Sequence, residues 1–225
     1  MIERRPAVAE LLKDRGNALV VAGLGSPVYD VFAAGDHDLN FYDWGAMGSA
    51  AMVGLGLALS RPERPVIVFT GDGEMLMGLG AFSTIAQHLP TNLSILVLDN
   101  EQYAETGMQK TATGFGTDLA AVARACGIQN ASELTGQDEI ATLRPKLYGR
   151  AGTLVAVLKI KPGDQPRTVP EREGTLIASR FMRSLLADDQ RRVRHRARHG
   201  RMSVTAGDPA DVGGAPVDVA VPEES

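Results

Sequence analysis

Four apolar runs, each closing on a small or polar turn, recur along the chain: ALVVAGLGS (18–26), PVIVFTGDG (65–73), NLSILVLDN (92–100) and GTLVAVLKI (152–160). None alternates apolar with polar residues. A strand apolar throughout is one buried on both faces, and such strands belong to parallel sheets. Helix-like segments lie between them, as parallel crossovers require. The pattern predicts an α/β fold: an open parallel sheet with helices on both faces. LNFYDWG (39–45) adds a short strand.

The segments between strands read as follows. Residues 6–15 form a short amphipathic helix, and VYDVFAAG a helix stopped by Gly35. AMGSAAMVGLGLALS is a small-residue helix, buried all round, that ends before Pro62. EMLMGLGAFSTIAQHL reads as one helix in which Met75, Leu79, Phe82 and Leu89 recur near the helical period. TDLAAVARACG has Thr117 as its cap and Gly127 as its stop. TGQDEIATLRPKLYG opens on the Thr-x-x-Asp pattern of Thr135 and Asp138. A last helix is expected over 171–188. Beyond it come the basic block DDQRRVRHRARHG and a Gly/Pro/acid-rich end. That end has too few apolar residues to offset the entropy of ordering. One domain over 1–188 is therefore expected, followed by a disordered tail over 189–225 whose basic block is solvated.

Composition removes several classes of function. The net charge of −4 gives no general attraction to nucleic acid or membrane surfaces. The N-terminus MIERRPAVAELLKDRG lacks the apolar stretch of a signal peptide, and no run suits a membrane helix. Cys126 is the only cysteine, which excludes an intrachain disulfide, a zinc ribbon or an iron–sulfur set. A cytoplasmic location follows as the default. The four histidines, His37, His88, His195 and His199, are scattered in a turn, a helix end and the basic block. They are expected to be surface or capping residues rather than metal ligands.

Open parallel sheets bind ligands beyond the carboxyl ends of their strands. Three predicted turns lie there: Gly23–Ser26, Gly71–Glu74 and Asp99–Gln102. Asp72, set between Gly71 and Gly73, is an uncomfortable carboxylate unless a cation joins it. The two glycines let a ligand approach the backbone, and the following helix turns its free N–H groups toward the same spot, which favours phosphate. A carboxylate beside phosphate calls for a bridging cation, and Mg²⁺ accepts such mixed oxygen ligands. Asn100 and the backbone carbonyl of Gln102, at the next strand end, would complete a set of protein oxygens. GLGSP does not continue as a nicotinamide fingerprint, because Val28 stands where its third glycine belongs.

Gly-Asp-Gly followed after 26 residues by a strand-end Asn is more specific than either part. The pattern resembles the thiamine diphosphate fingerprint. GDGEMLMGLGAFSTIAQHLPTNLSILVLDNEQYAETGMQ is similar to the cofactor-binding half of sulfopyruvate and phosphonopyruvate decarboxylases. DWGAMGSAAMVGLGLAL resembles the segment that precedes it in those enzymes and in acetolactate synthases. The likeness covers roughly residues 15 to 160. In size the chain resembles the beta subunit of the two-subunit sulfopyruvate decarboxylases, which holds only the diphosphate-binding domain. The resemblance implies thiamine diphosphate and Mg²⁺ as cofactors, with Asp72, Asn100 and the Gln102 carbonyl as metal ligands. It implies that Gly71, Gly73 and Glu74 lie against the diphosphate, with Gly25 and Ser26 in a turn nearby and Tyr103 beside them. Met47 matches the bulky residue under the bent cofactor, and Gly45 and Met47 would hold its pyrimidine through backbone groups. Glu105 and Thr106 would face substrate.

Two differences from the family stand out. Glu74 replaces a small residue, and its carboxylate, which would repel diphosphate, is expected to turn outward. Asp99 replaces a frequent Asn but precedes the ligand and should point away. The family also needs a glutamate on a pyrimidine-binding domain for which this chain has no room, so a separate partner chain is implied. The activity implied is decarboxylation of a small 2-oxo acid to CO₂ and an aldehyde. The alternatives are a carboligase or lyase of acetolactate-synthase type, and a non-catalytic cofactor-binding subunit. No cationic group for a sulfonate or phosphonate substrate is evident in the sequence.

Overall fold

The computed structural model describes residues 1–163 and 165–200, with 188 and 192–200 described by backbone alone. Met1–Leu185 form one compact unit, and a second begins at Leu186. In chain order the elements are α1 (Arg4–Leu12), β1 (Leu19–Ala22), α2 (Ser26–Ala33), β2 (Asn40–Tyr42), α3 (Ala50–Ser60), β3 (Val66–Gly71), α4 (Asp72–Met77) and α5 (Ala81–His88). There follow β4 (Leu93–Asp99), β5 (Gln102–Tyr103), β6 (Gln109–Lys110), a 3-10 turn (Ala112–Phe115), α6 (Leu119–Cys126), β7 (Ala131–Leu134), α7 (Glu139–Gly149), β8 (Leu154–Lys159) and α8 (Gly174–Gly200).

The main sheet has six strands in the order β2-β1-β3-β4-β8-β7, and every neighbouring pair is parallel. This is the open α/β sheet expected from the apolar runs. Successive residues of a strand point to opposite faces, and two cores result. Val66, Val68, Ile95 and Val97 pack with α3, α5 and α6 on one face. Ile67, Phe69, Leu96 and Leu98 pack with α1, α2 and α7 on the other. The chain leaves β1 for β2 on one side and returns to β3 on the other. That reversal opens a crevice at the carboxyl ends of β1 and β3. Among the described residues no helix is long and apolar enough to cross a membrane.

Several local expectations are corrected. The helix expected over 74–89 is two helices, α4 and α5, broken at Gly78–Gly80. Gly78 lies so close to Gly48 that a Cβ there would sit 2.3 Å from the Gly48 carbonyl oxygen. Helix α6 is capped by Asp118 rather than Thr117, its Oδ1 accepting from Ala121 N at 2.9 Å. At α7 the expected Thr135–Asp138 box is replaced by Glu139, whose Oε2 accepts from the backbone N–H groups of Thr135 and Gly136. The edge strand β7 and the hairpin β5–β6 were not anticipated. The helix expected over 171–188 runs instead from Gly174 to Gly200. It therefore carries the block at 189–200 that was expected to be disordered, in keeping with that block's Arg, Ala and Gln content. The expectation for 201–225 lies outside the described residues. His37 does cap its turn, Nδ1 accepting from Leu39 N, and His88 is exposed at the end of α5.

Candidate functional site

A cavity of about 150 Å³ opens where the turns after β1, β3 and β4 converge. It has room for a small polyatomic ligand, since one water occupies only about 30 Å³. Gly25 and Ser26 line it from the β1 side, Gly71, Asp72, Gly73 and Glu74 from the β3 side. Asn100, Gln102, Tyr103, Glu105 and Thr106 line it from the β4 side, and Met47 from the loop before α3. Of the residues singled out in the sequence, Gly45 alone is not in the wall. It is exposed, and its N–H donates to Asp43 Oδ1 at 3.3 Å.

Asp72 is the first residue of α4 and only 2% exposed. Its Oδ2 accepts from Thr111 Oγ1 at 2.5 Å and from Thr113 Oγ1 at 3.1 Å. Burial, with Asp99 nearby adding to it, pushes its carboxyl up to about 6 despite the two threonine hydrogen bonds. Asp99 lies beside Asp72 but is not in the cavity wall. Its Oδ2 is ion-paired with Lys159 Nζ at 2.9 Å, and its Oδ1 lies 2.9 Å from Thr113 Oγ1, whose one proton is shared between Asp99 and Asp72. Thr111 follows β6 and Thr113 lies in the 3-10 turn after it, and sequence reasoning missed them. A pair of loop threonines has no helical or strand period to draw attention to it.

At the end of β4 the chain turns sharply, with Glu101 at φ +63°. Asn100 Oδ1 accepts from Gln102 N at 3.1 Å. Thr111 N donates to Glu101 O at 3.0 Å, while Gln102 faces Lys110 across the hairpin. Gln102 thus falls at a pair that exchanges no ladder bonds, which leaves its carbonyl pointing out of the hairpin.

The glycines have separate reasons. A Cβ on Gly73 would lie 2.4 Å from the Tyr103 ring, so packing alone demands glycine there. Gly71 has an ordinary φ of −92°, and a Cβ on it would meet nothing within 4 Å. The fold does not require glycine at 71; the open space beside it suits a ligand approaching the backbone.

Glu74 corrects an expectation. It does not turn outward. It is 3% exposed, with Oε2 accepting from Thr70 Oγ1 at 2.8 Å and Oε1 from Ala50 N at 3.3 Å. Burial pushes its carboxyl up to about 7 despite these bonds. A Cβ on Gly23 would lie 1.8 Å from Glu74 Oε2, so the missing side chain at Gly23 makes the space that Glu74 fills. The carboxylate braces the ends of β1 and β3 against the start of α3.

Arg4, the first residue of α1, also lines the cavity and is 7% exposed. The sequence reading found no such cation.

The model of the thiamine pyrophosphate enzyme C-terminal TPP-binding domain matches residues 28–156. The chain belongs to that family. Its cofactor, thiamine diphosphate, is the one the resemblance implied. The chain is 37% identical over 161 residues to a sulfopyruvate decarboxylase of Methanosarcina acetivorans, covering 72% of this chain and 41% of that one. It is 40% identical to a phosphonopyruvate decarboxylase of Streptomyces viridochromogenes, covering 77% and 43%. The chain thus spans about two fifths of the length of these relatives. Against the sulfopyruvate decarboxylase subunit beta of Methanothermobacter thermautotrophicus the identity is 36%, covering 82% of this chain and 96% of the relative. A thiamin diphosphate-dependent enzyme structure from Mycobacterium smegmatis shares the fold, with a TM-score of 0.59 and 24% identity over 72% of this chain and 32% of that one.

The side chains present suit the family's cofactor and its Mg²⁺. The donor set is all oxygen: a carboxylate, an amide carbonyl and a backbone carbonyl, the mixture a hard divalent cation accepts. The room beside Gly71 meets the first turn of α4, where backbone N–H groups favour a phosphate.

Proposed function

We propose that this chain is the diphosphate- and Mg²⁺-binding subunit of a two-chain thiamine diphosphate-dependent decarboxylase acting on a small 2-oxo acid of the sulfopyruvate or phosphonopyruvate kind. The observation that carries the reading is the convergence of Asp72, Asn100 and Gln102 on one cavity at the sheet's switch point. In this reading Asp72, Asn100 Oδ1 and the Gln102 carbonyl hold the metal. Thr111 and Thr113 fix the Asp72 carboxylate through Oδ2. Lys159 neutralises Asp99, so one carboxylate rather than two faces the cation. Gly71 and Gly73 bring backbone to the diphosphate, Met47 supports the cofactor's bend, and Glu105 and Thr106 stand at the substrate side. When bound, thiamine diphosphate supplies a thiazolium that takes up the electrons left as CO₂ departs.

A partner chain is part of the proposal. Glu101 is held by Lys159 at 2.5 Å and Glu105 by Arg167 at 3.2 Å, both on the diphosphate side. The glutamate that the cofactor's pyrimidine needs is therefore assigned to the partner. The subunit beta relative, nearly all of whose length is matched, supports the same division. The test is co-expression with a pyrimidine-side subunit, followed by CO₂ and product assays over a panel of 2-oxo acids. The pair is expected to release CO₂ and an aldehyde only with thiamine diphosphate and Mg²⁺, and this chain alone to do neither. Full activity from this chain by itself would refute the shared site, and a ligated hydroxyketone would replace decarboxylation by carboligation.

A further inference from the structure

Arg4 is built into the cavity wall in a way that its ion pair does not explain. It is 7% exposed, yet its side chain donates no hydrogen bond to any described residue. Its Nε lies 3.2 Å from Asp30 Oδ2, but the two meet off-line, and both atoms are buried without a hydrogen-bond partner. Asp30 is better served by Arg5, whose Nε donates to its Oδ1 at 3.0 Å. Two guanidinium groups thus share one fully buried carboxylate, leaving an excess positive charge at this spot. Of the guanidinium's five N–H donors, the one on Nε is buried without an acceptor, which is costly. Native structures rarely leave such a donor without a ligand or water to accept it.

The surroundings say what the acceptor is. Arg4 shares the cavity with Gly25, Ser26 and Pro27, the start of α2, an eight-residue helix whose N-terminal end favours anions. The other ionisable groups in the wall are the Tyr103 phenol and the carboxyls of Asp72, Glu74 and Glu105. Arg4 is the only cationic side chain among the cavity's described lining residues.

We infer that Arg4 and the first turn of α2 form a subsite for a tetrahedral oxyanion, filled by the terminal phosphoryl group of the bound diphosphate. This rests on the proposed function. An anionic substrate end, a sulfonate or phosphonate, offers the same chemistry, and the experiment separates the two sources.

The full-length chain is titrated calorimetrically with thiamine diphosphate and with thiamine monophosphate at fixed Mg²⁺, for the wild type, Arg4→Gln, Arg4→Lys and Arg5→Gln. Melting of each metal-free variant checks its fold. Loss of a charge-assisted contact predicts that Arg4→Gln weakens thiamine diphosphate about 10- to 100-fold. Thiamine monophosphate, which lacks the terminal group, should be nearly unaffected. Arg4→Lys should recover part of the loss. Arg5→Gln also strips Asp30 of a cation and should leave affinity unchanged. If Arg4 only ties α1 to α2, the Arg4 and Arg5 variants will lose stability alike and affinity not at all, which overturns the inference. Unchanged cofactor affinity with a raised KM only for 2-oxo acids bearing a sulfonate or phosphonate overturns the phosphoryl assignment and gives the subsite to substrate. Should the wild-type chain itself bind no thiamine diphosphate, the proposed function falls first and the subsite falls with it. Binding by the wild type and Arg4→Gln alike removes the subsite alone.

Discussion

Asp72→Asn is expected to stabilise the metal-free chain while removing its hold on the cofactor. Asp72 is 2% exposed, and burial, with Asp99 adding to it, pushes its carboxyl from 3.8 to about 6. Folding therefore opposes its ionisation. For this group, stability is fully present below the ordinary carboxylate pKa and is lost as pH rises through about 6. A shift of roughly two pK units corresponds to about 3 kcal/mol at pH 8. Asp99 contributes to the shift and relaxes once its neighbour is neutral, so a gain of about 1–3 kcal/mol is expected from the amide. The amide keeps an oxygen for the Thr111 and Thr113 hydroxyls, which now donate to Oδ2. Urea unfolding in EDTA at pH 4 and pH 8 measures this directly. The variant should match the wild type at pH 4 and exceed it at pH 8. Adding Mg²⁺ and thiamine diphosphate at about 100 times Kd should then stabilise the wild type by about 2.7 kcal/mol and the variant by almost nothing. A variant no more stable than the wild type at pH 8, with a parallel pH profile, would refute the account of Asp72 as a strained, ligand-seeking carboxylate.

Two further substitutions probe the glycines. Gly71→Ala meets no atom within 4 Å and needs no unusual backbone, so melting should move by less than about 1 °C, while the added methyl displaces a ligand at the β3 end. Calorimetry should show at least about tenfold weaker cofactor binding, and unchanged affinity would remove the diphosphate from that turn. Gly23→Ala drives a methyl into Glu74, at 1.8 Å from Oε2, and should cost about 1–3 kcal/mol. In a Glu74→Ser background the same change should cost little, giving a coupling of about 1–3 kcal/mol in a double-mutant cycle; additive losses would show that the two residues do not compete for one space.

The sheet was legible because its strands are unbroken apolar runs, a signal that depends on few competing terms. Asp72 and Asn100, which the structure brings to one cavity wall, could be singled out because Gly-Asp-Gly and Asn100 sit where strands stop. What the sequence concealed depends on contacts between distant segments. Gly78 looked like a tolerable glycine within a helix, but its approach to the Gly48 backbone breaks that helix. Strand β7 buries only its first and last residues, so it has no run to recognise. Glu74 was expected to avoid the site on charge grounds, yet Thr70, Ala50 and the empty space at Gly23 receive it. Arg4 lies among ordinary charged residues near the N-terminus, and only the pairing of Ile2 with Ile160 draws that segment to the carboxyl end of the sheet.

Strand register explains how Asp72 and Asp99 come to lie side by side at the strand ends. Gly71 pairs with Leu98 across β3 and β4, so the residues just beyond them, Asp72 and Asp99, are brought together whatever their chemistry. Two adjacent buried carboxylates repel, and on their own one would stay protonated. On the far side of β4, however, Asp99 pairs in register with Lys159 of β8. That ion pair takes Asp99 Oδ2, at 2.9 Å, while Oδ1 stays on the Thr113 hydroxyl beside Asp72. Asp72 then faces the cavity with one neutralised neighbour, and the kink at Glu101 brings Asn100 and Gln102 into the same wall. A one-residue slip between β4 and β8 would send Lys159 to the opposite face and leave Asp99 beside Asp72 without its ion pair. The β4–β8 register thereby decides whether Asp72 has an ion-paired or an unpaired carboxylate as its neighbour at the strand end.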